Sequence, residues 1–331
     1  MPEDTFRALV LERPPEESAP SIRDVSRTEL PEGNVLVRVE YSDVNYKDGL
    51  AVTGKGKVIR SYPMVPGIDL AGTVEESASD RYRPGDRVIA TGWYLGERHW
   101  GGYSQMARLS DGWLVPLPDG LSTGDAMAIG TAGLTAMLCV MALEDWGLTR
   151  DGDVVVTGAA GGVGSCAVAI LSHLGYRVVA STGRSEERAY LTDLGAQDIV
   201  DRAVLASPSS RPLESQRWAG AVDAVGGDTL AGLIRTMKNG AGIAACGNAG
   251  GADLHTTVYP FILRGVGLLG VESVTVPEER RRVAWGRLAT DLPRERLVEM
   301  TRVVPLDGVP QICEEIVAGR VRGRVVVDVN A

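Results

Sequence analysis

A glycine-rich run in the middle of the chain has the spacing of a diphosphate-binding turn. Residues 157–164 read TGAAGGVG, directly after the β-branched run 153–157 and directly before a helix-length segment, 164–174. A diphosphate must approach backbone N–H groups at a helix N-terminus, and side chains at those positions would block it. A lone glycine cluster is a weak signal, but this one has a strand before it, a helix after it and a second strand, 177–181, beyond. The pattern predicts a dinucleotide site.

The residues at the end of that second strand indicate which dinucleotide is bound. A site for NAD usually places Asp or Glu there, to bind the ribose hydroxyls. This chain has Ser181-Thr182-Gly183-Arg184, and its first acid is Glu186. Hydroxyls and a guanidinium bind a 2′-phosphate that an acid would repel, so the sequence predicts NADPH. The alternative is that Arg184 is only a solvated residue at the start of a helix.

A second group with chemical potential is Asn45-Tyr46-Lys47-Asp48. A phenol with an ordinary pKa of about 10 is protonated at neutral pH, so Tyr46 could donate a hydrogen bond or a proton to a substrate during reduction. The alternative is that Tyr46 only packs against a nicotinamide ring. Asn45 and Asp48 either orient Tyr46 and Lys47 or form a structural turn.

Residues that could bind a metal are few and scattered. The histidines are His99, His173 and His255, and the cysteines are Cys139, Cys166, Cys246 and Cys313, with no C-x-x-C pair among them. Zinc needs a convergent set of Cys, His or carboxylate ligands, so no metal site is predicted. Each cysteine lies in an apolar run, and a small buried hydrophobe is the expected role.

The elements that must position these residues fall into two kinds. Up to about residue 125, short strand-like runs (6–11, 35–41, 72–75, 87–90 and 102–109) alternate with Pro-Gly and Asp-Gly turns, which predicts a small barrel or partly open sheet. From residue 128, strands alternate with helices, which predicts a doubly wound parallel sheet. After residue 272 the alternation of strand-like and helix-like runs is less regular. The sequence ends in an apolar strand-like run, 323–329, which is expected to return to the first sheet. We therefore predict an α/β protein with domains 1–127, 128–271 and 272–331.

Charge and composition exclude several classes of partner. The chain has 331 residues and a formal net charge of -9, with no basic block, so nucleic acid and anionic membranes would repel it. The uncharged stretch 126–143 is interrupted by Gly and Thr, which favours a helix buried in protein over one facing lipid. The N-terminus begins Pro2-Glu3-Asp4 and does not have the form of a signal peptide. A soluble, cytoplasmic protein is expected.

Several runs give the chain a likeness to a known superfamily. Residues 45–48 (NYKD), 66–72 (PGIDLAG) and 85–88 (GDRV) resemble those of the medium-chain dehydrogenases/reductases, and the likeness extends along essentially the whole chain. It implies a GroES-like β-rich catalytic domain and a Rossmann domain. Zinc-dependent members carry Cys where the first run begins and His-Glu where this chain has Ile68-Asp69, so the resemblance is to the zinc-free members.

Further runs resemble one branch of that superfamily, the acryloyl-CoA reductases. They are residues 50–57, 92–93, 99–102, 130–137, 246–247, 249–251, 260–266 and 277–281. This branch implies zinc-independent reduction of acryloyl-CoA to propanoyl-CoA with NADPH, by a homodimer. The cofactor contacts it implies are Tyr46, Ala160, Gly161, Gly162, Val163, Thr182, Gly183, Arg184, Arg202, Asn248, Ile262 and Ser273, with Tyr46 also the candidate catalytic residue. Two positions depart from this pattern. Asn248 stands where relatives have Leu, so the resemblance implies only a backbone contact there. Gly319 stands where relatives can have a polar contact residue, so that contact is not implied for this chain.

A CoA substrate carries phosphates, and basic residues should line its approach. Lys55, Lys57 and Arg60 are a local basic cluster, although a solvated loop explains them more simply. Four aromatic residues lie nearby in the chain and either contact substrate or pack in the core: Trp93, Tyr94, Trp100 and Tyr103. Two other functions stay open, an NADPH:quinone or enone oxidoreductase and a non-catalytic NADPH-binding protein.

Overall fold

The structure is a computed structural model that describes residues 5–331 and divides the chain into two units. The first unit comprises residues 5–131, Val274–Arg282 and Met300–Ala331, and the second comprises Ala132–Ser273 and Val283–Glu299. The domain limits predicted at residues 127 and 271 stay a prediction.

The helices and strands follow one another in three stretches. The first contains β1 (Thr5–Val10), β2 (Ser21–Ser26), β3 (Val35–Asp43), α1 (Tyr46–Val52), β4 (Asp69–Ser77), β5 (Arg87–Thr91), β6 (Met106–Leu109), β7 (Leu114–Pro116) and α2 (Thr123–Trp146). The second contains β8 (Asp153–Val156), α3 (Gly162–His173), β9 (Arg177–Thr182), α4 (Arg188–Asp193), β10 (Asp198–Asp201), α5 (Arg202–Leu205), β11 (Trp218–Asp223), α6 (Gly227–Thr236), β12 (Met237–Ala245), α7 (Tyr259–Arg264) and β13 (Gly267–Gly270). The third contains α8 (Glu278–Asp291), α9 (Arg294–Glu299), β14 (Thr301–Pro305), α10 (Val309–Val317) and β15 (Arg324–Asp328).

The first unit is built on a seven-stranded sheet. Its strands run in the order β14-β15-β3-β4-β5-β7, and β6 pairs with β3, while β1 and β2 form a separate antiparallel pair. Alternate valines of β3, at positions 35, 37 and 39, are fully buried in the core of this unit. The C-terminal strand pairs with β3 through Val326 and Asp43, so the predicted return of the chain end to the first sheet is confirmed.

The second unit is a six-stranded parallel sheet in the order β10-β9-β8-β11-β12-β13. Val154, Val155 and Val156 in β8 are all fully buried, as expected for a parallel strand covered on both faces. The strand order reverses beside β8, and this is the place at which doubly wound sheets bind their ligands, at the carboxyl ends of the strands. The predicted fold class, a doubly wound Rossmann sheet plus a β-rich unit, is confirmed.

Helix α2 contains a sharp break at Gly130. The backbone there has φ of +51°, which a residue with a side chain rarely adopts, and a Cβ would overlap the Asp43 carboxylate. The helix is long and apolar enough to cross a membrane, but 89% of its most apolar window is buried inside the protein. This is the pattern of a core helix, in line with the sequence.

Several elements differ from the sequence prediction. Strand β2, strand β14 and the helices α8 to α10 were not predicted, and the strand expected over 102–109 is ordered as a strand only from Met106. Helix α8 begins with the charged run EERRR, which hides the apolar spacing of a helix, although Trp285 and Leu288 further along are buried. Strand β14 is half exposed and carries no clear alternation of apolar residues.

Candidate functional site

The glycine turn connects β8 to α3 and is fixed to both neighbouring strands. Thr157 donates from its hydroxyl to Asp223 Oδ1 at 2.6 Å, and Ala159 N–H donates to Ser181 O at 3.2 Å. Gly158 has φ of +58°, and a Cβ at Gly164 would overlap the carbonyl of Gly158. Only glycine allows this closure, which directs the first N–H groups of α3 away from the helix as an anion site. The predicted contacts Ala160 to Val163 lie on this turn.

Two guanidinium groups lie around the end of β9. The Arg202 guanidinium approaches Gly183 so closely that a Cβ there would lie 3.1–3.2 Å from it. Arg184 contacts the Ala160 carbonyl with Nη2 at 3.4 Å, and its backbone N–H donates to Thr182 Oγ1 at 3.1 Å. The structure therefore brings together the predicted residues 182–184, Arg202 and the glycine turn. Two cations and hydroxyls beside this turn are the kinds of group that bind a 2′-phosphate.

An acidic residue that the sequence analysis missed lies beside Arg184. Glu187 Oε1 is 3.4 Å from Arg184 Nη1, and Glu187 is buried. Its spacing of three residues from Arg184, within a helical turn, is the signal that could have indicated the pair. The Glu187 carboxylate holds one nitrogen of the Arg184 guanidinium, while another nitrogen contacts Ala160 in the glycine turn.

The residues predicted for the nicotinamide half are placed less uniformly. Asn248 and Ser273 follow β12 and β13, at the same carboxyl edge of the sheet as the glycine turn. Ser273 Oγ lies 2.9 Å from Thr135 Oγ1, and the Asn248 carbonyl accepts from Gly251 N–H at 3.0 Å. Ile262 instead lies on α7, before β13, with 68% of its surface exposed. The roles of all three stay predictions.

In the first unit, Tyr46 is the first residue of α1, and this helix start is held rigidly. Asn45 precedes the helix, and Asp48 accepts from Asn45 N–H at 2.9 Å with one oxygen and from Ile68 N–H at 2.9 Å with the other. The carboxylate of Asp48 thus ties the start of α1 to the segment before β4. Tyr46 keeps 40% of its surface exposed, so its phenol is available to a ligand.

A buried polar network lies directly behind the start of α1. The Asn45 amide donates to Asp43 Oδ1 at 2.8 Å and to Asp69 Oδ2 at 3.0 Å, and its oxygen accepts from Arg324 Nη1 at 3.2 Å. Arg324 also forms a close ion pair with Asp43 and donates from Nε to Ala128 O at 2.8 Å. Asp69 accepts from both the N–H and the hydroxyl of Thr131, at 2.6 and 2.5 Å. The network fixes Asn45, and through it the neighbouring Tyr46.

The carboxyl groups of this network have shifted pKa values. Burial raises the pKa of Asp43 well above its usual range, and the neighbouring Asp69 raises it further, whereas Arg324 lowers it. Burial also raises the pKa of Asp48 to about 7, although the hydrogen bonds that it accepts from two backbone N–H groups lower this pKa. The positive charge of Arg324 therefore lies against a buried carboxyl group whose pKa is raised by its surroundings.

These residues do not suit a metal ion. The positions at which zinc-dependent relatives carry ligands hold Asn45, Ile68 and Asp69, and the amide of Asn45 presents its N–H groups to the two carboxylates. The positive charge of Arg324 already lies against Asp43. His99 lies elsewhere, with its ring nitrogens 3.0 and 3.1 Å from backbone carbonyls. Residues 5–331 contain no group of three or more Cys, His or acidic residues suited to a metal.

The aromatic and basic residues considered for a CoA substrate separate clearly. Tyr103 is fully buried and donates to Asp43 O at 3.0 Å, and Trp100 donates to Pro63 O at 3.0 Å, so both have structural roles. Trp93 lies against Arg281, whereas Tyr94 is exposed beside Arg98. Lys55, Lys57 and Arg60 lie on an exposed segment after α1.

Comparisons with known proteins agree with this geometry. Residues 31–119 match the family described as "Alcohol dehydrogenase GroES-like domain", and residues 162–289 match the family described as "Zinc-binding dehydrogenase". Acrylyl-CoA reductase AcuI of Ruegeria pomeroyi is 57% identical over 329 residues, which are 98% of this chain and 100% of that protein.

Two solved structures are similar along their whole length. The yhdH oxidoreductase of Salmonella enterica, in complex with NADP, is 51% identical with a TM-score of 0.95, covering 98% of this chain and 99% of that one. The yhfP protein of Bacillus subtilis, solved with NAD bound, is 44% identical with a TM-score of 0.95, covering 98% and 99%. YhfP carries the provisional name of a quinone oxidoreductase. The chain thus belongs to the medium-chain dehydrogenase/reductase superfamily, in the branch that contains the AcuI acrylyl-CoA reductases.

Proposed function

We propose that this protein is an NADPH-dependent oxidoreductase that reduces the C=C bond of acryloyl-CoA to give propanoyl-CoA. One observation carries the assignment of NADPH as the cofactor. The guanidinium groups of Arg184 and Arg202 both lie at the end of β9, and the strand does not end in an acid. Full-length identity of 57% to an acrylyl-CoA reductase supports the substrate.

The predicted site residues have separate tasks in this reaction. The turn 157–164 would hold the diphosphate, and Arg184 and Arg202 the 2′-phosphate. If bound there, NADPH would supply a hydride for the β-carbon of the substrate. Negative charge then develops on the thioester oxygen, and a proton must reach the α-carbon. We assign to Tyr46 the hydrogen bond or proton that meets this need, because its phenol is exposed and its helix start is fixed by Asn45 and Asp48. A preorganised donor of this kind typically contributes about 10²–10³ in rate.

Two alternatives are tested by the same assay. The first alternative is a quinone or enone reductase, because the relative YhfP is provisionally named a quinone oxidoreductase. The second is a non-catalytic NADPH-binding protein, which would have the same fold. NADPH absorbance is followed with acryloyl-CoA, with a small quinone and with neither. We expect rapid oxidation with acryloyl-CoA. Oxidation with the quinone alone would support the first alternative, and no oxidation with either would support the second.

We further propose that the enzyme is a homodimer formed through the edge of the six-stranded sheet. Strand β13 is the terminal strand of that sheet, and Leu268 on it is 39% exposed. Helix α7, just before it, exposes Tyr259, Ile262 and Leu263. An open edge beside an apolar surface suits pairing with a second copy. Light scattering should give about twice the chain mass of 35.1 kDa, and Leu263→Arg should lower it toward the monomer. A wild-type monomer would contradict the proposal.

A cytoplasmic location is part of the proposal. Cys139, Cys246 and Cys313 are free thiols, and Cys139 and Cys313 are buried. Disulfides are rare in reducing compartments, so a set of free thiols fits one. Cell fractionation with a specific antibody checks this, and recovery outside the cytoplasm would contradict it.

A further inference from the structure

A turn in the first unit has an unusually constrained backbone. Trp93 and Tyr94, which directly follow Gly92 after β5, have φ of +52° and +60°. Side chains with a Cβ are disfavoured in this left-handed region, and two consecutive aromatic residues in it are rare. The carbonyl of Tyr94 accepts from the N–H groups of Glu97 and Arg98 at 3.1 and 3.0 Å, which closes the turn. Such strain persists only where the surrounding structure fixes it, and it is concentrated at functional sites.

A buried arginine fixes this turn from inside. Arg281, at the start of α8, is 1% exposed and donates to both the carbonyl and the hydroxyl of Thr91 at 2.8 Å. Its guanidinium lies 4.9 Å from the centre of the Trp93 ring. Trp93 N–H donates to Val274 O at 3.0 Å, and Arg281 contacts the same carbonyl at 3.1 Å. Trp93 is therefore anchored on the inside of the turn, and this leaves Tyr94 on the outside.

The outer side of the turn presents an aromatic ring and cations. Tyr94 is 37% exposed, and the Arg98 guanidinium lies 4.5 Å from the centre of its ring. Arg60 N–H donates to Glu97 O at 2.9 Å, which brings the basic segment 55–60 alongside. The guanidinium groups of Arg60 and Arg98 form no hydrogen bond or ion pair with other residues of the described chain, 5–331.

The local charge favours an anionic ligand, although the whole chain is acidic. Glu97 is the acid on this turn, and it forms an ion pair with Lys47 at 2.8 Å, so its charge is neutralised. Two further acids lie near the basic segment, because Glu16 approaches Gly54, and burial together with the charges of Glu16 and Glu17 raises the pKa of Tyr62. Arg98 is thus an unpaired cation beside the exposed Tyr94 ring, and the backbone of Arg60 lies against the same turn. Lys47, which holds Glu97, is the next residue after Tyr46.

We propose that Tyr94, Arg98 and Arg60 bind the phosphorylated nucleotide end of the coenzyme A thioester. A purine can stack on the Tyr94 ring or the Arg98 plane, and phosphate oxygens are bound by guanidinium groups. The strained turn displays the ring outward, and Arg281 positions it from inside. This inference rests on the proposed function, because it names how the same substrate is held.

The test compares two acryloyl thioesters, one on coenzyme A and one on N-acetylcysteamine, which has no nucleotide. Arg98→Gln removes the charge, and Tyr94→Asn removes the ring with a residue that tolerates the left-handed backbone. For each variant we expect KM for acryloyl-CoA to rise about tenfold with kcat nearly unchanged. Kinetics with the truncated thioester should be the same as those of the wild type, as should the Kd for NADPH.

A matched control is Arg83→Gln, which alters an exposed arginine before β5, at the end of that strand opposite the turn. It should leave all constants unchanged. Direct titration of the NADPH-bound enzyme with CoA should show the same tenfold loss in the Arg98 and Tyr94 variants, and this reports binding without turnover.

Three outcomes would overturn the subsite: unchanged KM for acryloyl-CoA in both variants, an equal rise in KM for both thioesters, or weaker NADPH binding, which would assign the turn to the dinucleotide. A wild-type enzyme that is inactive with both thioesters would overturn the proposed function itself, and CoA titration would then overturn or support the subsite separately.

Discussion

At the end of β9, the Arg184 guanidinium lies between the Ala160 carbonyl and the Glu187 carboxylate. The side chain is thus oriented before any phosphate arrives. Arg184→Ala should weaken NADPH binding by roughly 1.5–3 kcal/mol, the value of a charge-assisted hydrogen bond, and leave NADH binding nearly unchanged. Titration of both dinucleotides measures this. Arg188→Ala, at an exposed position on α4, is the control, and equal losses for NADPH and NADH would contradict the assignment.

Tyr46 is the residue to which we assign the hydrogen bond or proton in the reaction. Tyr46→Phe keeps the ring, and therefore any packing against a ligand, but removes the hydroxyl. We expect kcat to fall about 100-fold with acryloyl-CoA and the Kd for NADPH to stay the same. Full turnover by the Phe variant would leave Tyr46 with a packing role alone.

Asp48 gives the protein a stability that depends on pH. Its pKa is about 7 in the folded protein because of burial, against about 3.9 in an unfolded chain. Below the unfolded value both states hold the proton. As pH rises from about 4 to 7, the unfolded state loses it first, so the free energy of unfolding falls and levels off above the folded pKa.

Asp48→Asn removes this contribution, although Asp43 leaves one of the same sign. Urea denaturation at a series of pH values should show that wild-type stability, relative to the Asn variant, declines from pH 4 to 7 and is then constant. Parallel curves for the two proteins, or a relative gain in wild-type stability with pH, would contradict the shift.

Among the elements, the connection from β8 to α3 requires a residue without a side chain where the helix begins. A methyl group at Gly164 would overlap the Gly158 carbonyl, so Gly164→Ala must open the turn. We expect the free energy of unfolding to fall by about 1–3 kcal/mol, as for an overpacked core, and NADPH affinity to fall with it. Calorimetry with and without NADPH measures both.

Gly286 on α8 provides the matched control, since nothing lies within 4 Å of a Cβ built there. Gly286→Ala should stabilise the protein by up to about 1 kcal/mol and leave NADPH binding unchanged. If both alanine variants bound NADPH like the wild type, the close packing of the turn would not matter for the cofactor.

The elements also show what local sequence can and cannot predict. The β8 turn, α3 and β9 were predictable because their signals are contiguous: a β-branched run, glycines and a helical segment. The network behind Tyr46 was not, because Arg324 and Asp43 are 281 residues apart in the chain. One signal existed, an arginine at the start of an apolar terminal strand that was expected to pair with the first sheet. Its partner depends on the register of β15 against β3, which only the folded sheet defines.

For the whole molecule, the resemblance along the chain carried more information about the substrate than any single motif. The glycine turn and the arginines beside it suit a phosphorylated dinucleotide, yet they are compatible with many hydride acceptors. The turn at Trp93 and Tyr94 could not be foreseen, because the sequence contains no glycine at either position of positive φ, and the arginine that fixes it comes from α8. Aromatic residues that seemed equivalent in the sequence therefore separate into buried and exposed ones only after folding.

The most direct test of the central claim is the mass of the CoA product formed from acryloyl-CoA and NADPH that carries deuterium at the transferred position. We predict propanoyl-CoA containing one deuterium, formed in step with NADPH oxidation. Unchanged acryloyl-CoA from an enzyme that oxidises the same NADPH with a quinone would contradict the account.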